Sequence, residues 1–139
     1  MKLIIGSDHA GLELKEKIKE TFSEHEFDDV GTYTKDSVDY PDYAKKVAEK
    51  VAAGEGKGIL ICMTGIGMCI TANRNPKVRA ALVYSEETAR LTRDHNDSNI
   101  ICLGAATMDN DLALKMVKIW IETPFSENER HTRRNAKMS

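Results

Sequence analysis

The chain is short of cysteine, of long apolar runs and of excess charge, and each shortage removes a class of protein. Only Cys62, Cys69 and Cys102 occur in 139 residues. Their odd number, the lack of any C-x-x-C pair and their apolar neighbours argue for reduced thiols and against a disulfide framework or a zinc site. No apolar stretch approaches the length of a membrane span, and Asp8 comes too early for a secretory signal, so a cytoplasmic chain is expected. Charge of one sign is also lacking, with 20 Lys and Arg against 22 Asp and Glu and a net −2. Bulk electrostatics therefore recommends neither a nucleic acid nor a membrane as partner.

What the chain does have is a strand–helix rhythm. Lys2 to Gly6 reads as a strand, and Leu14, Ile18 and Phe22 recur at helical spacing from Ala10 onward. Phe27 to Gly31 is a second strand, followed by a helix opened by Pro41 with a stripe of Ala44, Val47, Ala48, Val51 and Ala52. Ile59 to Met63 leads into Ile66 to Asn73. Arg79 to Tyr84 leads into Ser85 to Arg93, with Ser85 as N-cap. Asn99 to Gly104 is a fifth strand, and a last long helix runs from about Asp111 to Glu122 before Pro124. Strands that are nearly continuous in apolar residues and alternate with helices predict a parallel sheet covered on both faces. The expected fold is a single α/β domain: a three-layer α/β/α sandwich with a five-stranded, Rossmann-like sheet over residues 1–124. Residues 125–139 form a basic tail with little to bury.

In such sheets ligands bind beyond the carboxyl ends of the strands. Asp8 and His9 follow the first strand, Asp39-Tyr40-Pro41 comes after the second, and Cys62-Met63-Thr64-Gly65-Ile66-Gly67 closes the third. An acid, an imidazole, a phenol, a thiol and a hydroxyl thus gather on one rim. Gly65-Ile66-Gly67 has the first two glycines of a dinucleotide fingerprint but lacks the third, so a nucleotide role is weak. The turn still offers backbone N–H groups at a helix start, suited to a phosphate or a developing enolate. A thiol beside such a turn is a usable base, although a cysteine ending a strand is as readily a buried apolar residue. Cys69 and Cys102 are read as core, and capping is the plain reading of Asp8.

The segment from Arg93 to Asn99 precedes the fifth strand and so lies at the opposite, amino end of the sheet. If His95 and Cys62 act on one substrate, a single subunit cannot easily supply both, which predicts a dimer with shared sites. Arg130 and Arg134 are one helical turn apart and could grip a phosphate together, with Arg133 and Lys137 a second, more exposed pair.

Gly6-Ser7-Asp8-His9-Ala10-Gly11, Asp39 to Ala44, Ile61 to Gly67, Ala72-Asn73 with Arg79-Ala80-Ala81, His95 to Asn99, and Arg130-His131 with Arg134 together resemble the type B ribose-5-phosphate isomerases. Members of the related group include the galactose-6-phosphate isomerase subunits. The resemblance implies interconversion of ribose 5-phosphate and ribulose 5-phosphate, a step of the non-oxidative pentose phosphate pathway, by a homodimer or a dimer of dimers without metal or organic cofactor. It gives ring opening to His95 assisted by Asp8, and the C2 proton to Cys62. Thr64 relays a proton between the two oxygens. Substrate contacts fall to Tyr40, Met63, the Gly65-Ile66-Gly67-Met68 turn and Asn96, with His9, Arg130 and Arg134 on the phosphate. The chain departs from the family pattern at Met63, where glycine is usual, at Ala106, where an arginine is usual, and at Glu127-Asn128-Glu129, where glycines are common. Two other readings stand beside it: an isomerase of a six-carbon sugar phosphate such as allose or galactose 6-phosphate, separated by comparing specificity constants, and a non-catalytic phosphosugar-binding module, which would be stabilised by ligand without turnover.

Overall fold

Successive side chains of the three central strands point to opposite faces of the sheet, and that alternation builds the layers. The computed structural model describes residues 1–138. It contains β1 (Lys2–Ser7), α1 (Leu12–Thr21), β2 (Glu26–Asp29), α2 (Tyr40–Ala52), β3 (Lys57–Cys62) and α3 (Ile66–Ala72). These are followed by β4 (Ala80–Leu82), α4 (Glu86–Asp94), β5 (Ile100–Gly104), α5 (Asn110–Glu122) and α6 (Glu129–Ala136). Leu3 and Ile5, Ile59 and Ile61, and Ile101 and Leu103 pack on one face with Leu14 and Ile18 of α1, Ala89 of α4 and Met116, Val117 and Trp120 of α5. Ile4, Leu60, Cys62, Ile100 and Cys102 face the other way, onto Ala44, Val47 and Val51 of α2 and Met68 and Ala72 of α3. With a period of two in the strands, every central position is buried on one side or the other, which is why they read as unbroken apolar runs.

The five strands are all parallel, in the order β2-β1-β3-β5-β4. The chain leaves β1 towards β2 and then returns past it to β3, so the crevice at the carboxyl ends of β1 and β3 is a topological switch point, where open α/β sheets bind ligands. Asp8 and Cys62 flank it.

Several element boundaries differ from the sequence reading. The first helix begins at Leu12 rather than Ala10, because residues 8–11 form a turn closed by the Asp8 carboxylate. β2 stops at Asp29, whose side chain accepts from the Gly31 N–H at 2.9 Å. Ser85 is the N-cap of α4, completing a capping box with Thr88. The tail does bury something: it forms α6, and Asn135 is buried with its amide donating to the His95 carbonyl at 3.0 Å. No helix among the described residues is long and apolar enough to cross a membrane.

Candidate active site

Cys62 ends β3 with its side chain buried, and the Gly65 N–H donates to its sulfur at 3.1 Å. That hydrogen bond fixes the sulfur at the mouth of the turn. The turn that supplies it requires glycine twice over: Gly65 has φ +79°, and a Cβ there would lie 2.7 Å from Leu82 and 2.9 Å from the Leu103 backbone. Beside it the Ile66 N–H donates to Thr64 Oγ1 at 3.3 Å. At Gly67 a Cβ would strike the Tyr40 ring 2.3 Å away, so the absence of a side chain lets the phenol lie against the helix start.

Asp8 enters from β1. Its N–H donates to the Ile61 carbonyl at 3.2 Å, which sets it beside Cys62, and its Oδ1 accepts from Ala10 and Gly11 N–H groups at 3.0 and 3.1 Å. The cap-like role is real, but it engages one carboxylate oxygen and leaves Oδ2 to meet a ligand. His9 is half-buried next to it, and the Val38 N–H donates to its Nδ1 at 3.2 Å. Asp8, His9, Tyr40, Cys62, Met63, Thr64, Ile66 and Gly67 line a single cleft of about 520 Å³, the right size for a small ligand. Met63 and Ile66 are half exposed at its lip, while Met68 is fully buried beneath it.

His95, Asn96, Arg130 and Arg134 do not reach that cleft. Ile100 of β5 is level with Gly58 of β3, four residues before Cys62, so the loop that precedes β5 sits about 13 Å or more from the sulfur. This second cluster is held firmly. Arg93, almost fully buried, donates to Asp97 Oδ1 at 2.8 Å and to the Ser98 and Thr123 carbonyls. Arg79 donates to the Asn96 and Asp97 carbonyls at 2.9 and 3.1 Å and pairs with Asp97 Oδ2 at 3.2 Å. Between them they hold Asp97 at φ +46° and fix the segment that carries His95. His131 stacks on His95 with ring centroids 4.2 Å apart. Burial, then His95, Arg130 and Arg134, push the His131 pKa down, against a smaller pull from Asp94. Arg130 and Arg134 project from α6 into solvent. Arg133, of the second and more exposed cationic pair with Lys137, donates to Glu129 at 2.8 and 3.0 Å.

Sequence reasoning named Arg93 in the segment with His95, and Arg79 and His131 within motifs, but gave none of them a part in this cluster, and it missed Asn135. Only Arg93 and Asp97, four apart, left a local signal. It also missed Cys69, which is half-buried rather than core. A hydrogen bond with Cys102, helped by the Leu82 backbone and the Asn73 amide, draws the Cys69 pKa down to about 7 against the cost of burial, while Cys102 is pushed well up. No group of three or more His, Cys, Asp or Glu side chains among the described residues is arranged to hold a metal.

A family model for ribose/galactose isomerases matches residues 3–138. The chain belongs to the ribose/galactose isomerase family. Ribose-5-phosphate isomerase B of Escherichia coli is 39% identical over 136 residues, covering 96% of this chain and 91% of that one. The structure of ribose-5-phosphate isomerase B from Clostridium thermocellum is similar at a TM-score of 0.97 and 45% identity, covering 99% of this chain and 95% of that one. That of the Mycoplasma genitalium enzyme with bound ribulose-5-phosphate matches at 0.93 and 39% identity, covering 99% and 93%. The family's three-layer α/β architecture is thus the one found here.

Proposed function

We infer that this member of the family interconverts D-ribose 5-phosphate and D-ribulose 5-phosphate through a cis-enediolate. The observation that carries the reading is Cys62 Sγ at the mouth of the switch-point cleft with the Gly65 N–H 3.1 Å away, a sulfur placed beside hydrogen-bond donors. Relatives of 39–45% identity named as ribose-5-phosphate isomerase B support the substrate.

The steps follow from the chemistry each group can do. As the bond from C1 to the ring oxygen breaks, His95 takes the anomeric hydroxyl proton and passes it to the ring oxygen, with the free oxygen of Asp8 orienting the hydroxyl. The Cys62 thiolate then takes the C2 proton and returns it to C1. As that proton leaves, negative charge gathers on the enediolate oxygens. Gly65 N–H is committed to sulfur and Ile66 N–H is shared with Thr64, so the N–H groups of Gly67 and Met68 are the ones left to meet this charge. Thr64 passes a proton between O1 and O2. Tyr40 and Met63 wall the sugar, Asn96 binds its hydroxyls, and His9, Arg130 and Arg134 hold the phosphate.

His95, Asn96 and the two arginines must come from a second copy of the chain. Half-exposed Met63, Ile66 and Ile70 surround the cleft as an apolar rim suited to burial against that copy. The active unit is accordingly a homodimer with two shared sites, and the tail from residue 125 completes the phosphate end of the partner's site, with residue 139 outside the described residues.

Replacing the base tests the chemistry. Cys62→Ala retains the folded circular dichroism spectrum and loses about 10²–10⁴-fold in kcat on ribose 5-phosphate; near-normal turnover in that variant rules out the assigned mechanism.

A further inference from the structure

The segment from Asp29 to Asp39 lies outside the chemistry yet touches it at one atom. Its first part is fastened tightly. Lys15, fully buried on α1, donates to Asp29 Oδ1 at 2.7 Å and to the Thr32 carbonyl. Asp29 also accepts from Lys19 at 2.9 Å and from the Gly31 N–H. Tyr33 donates its hydroxyl to the Asp29 carbonyl at 2.7 Å and sets its ring 5.0 Å from the Lys15 ammonium. Gly31 and Thr32 are stitched to the end of β1 by Ser7 N–H to Gly31 O and Thr32 N–H to Ser7 O, both at 2.8 Å. At its far end the segment passes into α2, whose Tyr40 lies against Gly67. Residues 33–37 are exposed between these two fastenings, and Val38, half-buried, follows. Its N–H points to His9 Nδ1 at 3.2 Å.

That hydrogen bond decides which ring nitrogen carries the proton. A donor aimed at Nδ1 requires a lone pair there, so the neutral ring carries its hydrogen on Nε2. A phosphate monoester offers only acceptor oxygens, and the opposite tautomer would turn a lone pair towards it. We propose that the anchored 29–39 segment is a positioning element, and that the Val38 N–H holds His9 as the Nε2–H tautomer, giving the substrate phosphate a hydrogen-bond donor. The proposal rests on the reading of His9 as a phosphate ligand, and the experiment separates the two.

Nitrogen-15 histidine spectra of the wild-type protein, with His9 identified by its loss in His9→Ala, report the tautomer directly. The expected spectrum has a protonated Nε2 and an unprotonated Nδ1 in His9. Val38→Pro removes the donor and gives a tautomer mixture, whereas Val38→Ala keeps the N–H and the wild-type pattern. On ribose 5-phosphate, Val38→Pro raises KM about tenfold, the scale of one charge-assisted hydrogen bond, and Val38→Ala does not. In the His9→Ala background, Val38→Pro adds no further loss. A wild-type ring protonated on Nδ1, or a Val38→Pro protein whose His9 signals are unchanged, overturns the positioning role. If His9→Ala leaves KM untouched, the phosphate role fails, while the spectra still decide the tautomer.

Discussion

Cys62 and Cys69 flank the first turns of α3 and meet different surroundings. Cys62 has a backbone donor and faces the switch-point cleft. Cys69 has a second thiol: Cys102 lies on the same face of the sheet and donates to it, and this bond is the largest cause of its low pKa. Cys69 therefore ionises as pH rises through about 7. Its alkylation by iodoacetamide, followed peptide by peptide, is expected to reach half its maximal rate near that pH. In Cys102→Ala the half-point moves upward, because the bond that stabilised the thiolate is gone. An unmoved half-point contradicts the assignment. None of this was legible in the sequence, where Cys69 and Cys102 stand far apart and each looks like a small apolar residue. Cys62 was more legible, because two glycines follow the strand end at a spacing that announces a tight turn.

At the level of elements, α1 and β2 are joined by charge as well as by the packing of Phe27 on the core cluster that holds Leu14 and Ile18. Burial works against the Asp29 carboxylate, but hydrogen bonds from Lys15, Lys19 and the Gly31 N–H outweigh it and lower its pKa. A carboxylate whose pKa is lowered by folding contributes stability that is fully present above its unfolded value of about 3.9 and is lost as pH falls through its folded value. Asp29→Asn should therefore melt below the wild type at neutral pH, and the gap should close as the solution is taken below pH ~4. A gap independent of pH would mean that the carboxylate's charge is not what joins the two elements. The strands and the longer helices were legible because apolar periodicity reports burial. The docking of α6 was not: it rests on the Asn135 amide at the His95 carbonyl and on the stack of His131 against His95, and neither leaves a periodic trace.

For the whole molecule, the central feature is that the residues of the proposed chemistry are divided between two ends of one sheet. Asp8, His9, Tyr40, Cys62 and Thr64 line the switch-point cleft, while His95, Asn96, Arg130 and Arg134 lie beyond the amino end of β5 or on α6. Strand order made this division legible, since a residue before a strand and a residue after its parallel neighbour fall on opposite rims. What strand order could not reveal is how firmly the second cluster is built. Its two arginines and its histidine stack bring together residues from α4, the turn before β4 and α6. The measurement that tests the account most directly mixes Cys62→Ala with His95→Ala protein under conditions of verified subunit exchange. Each variant alone is inactive. If two copies share each site, half of the sites in the mixed dimers regain both wild-type groups, and random exchange restores about a quarter of wild-type activity. No recovery despite exchange would contradict the shared site.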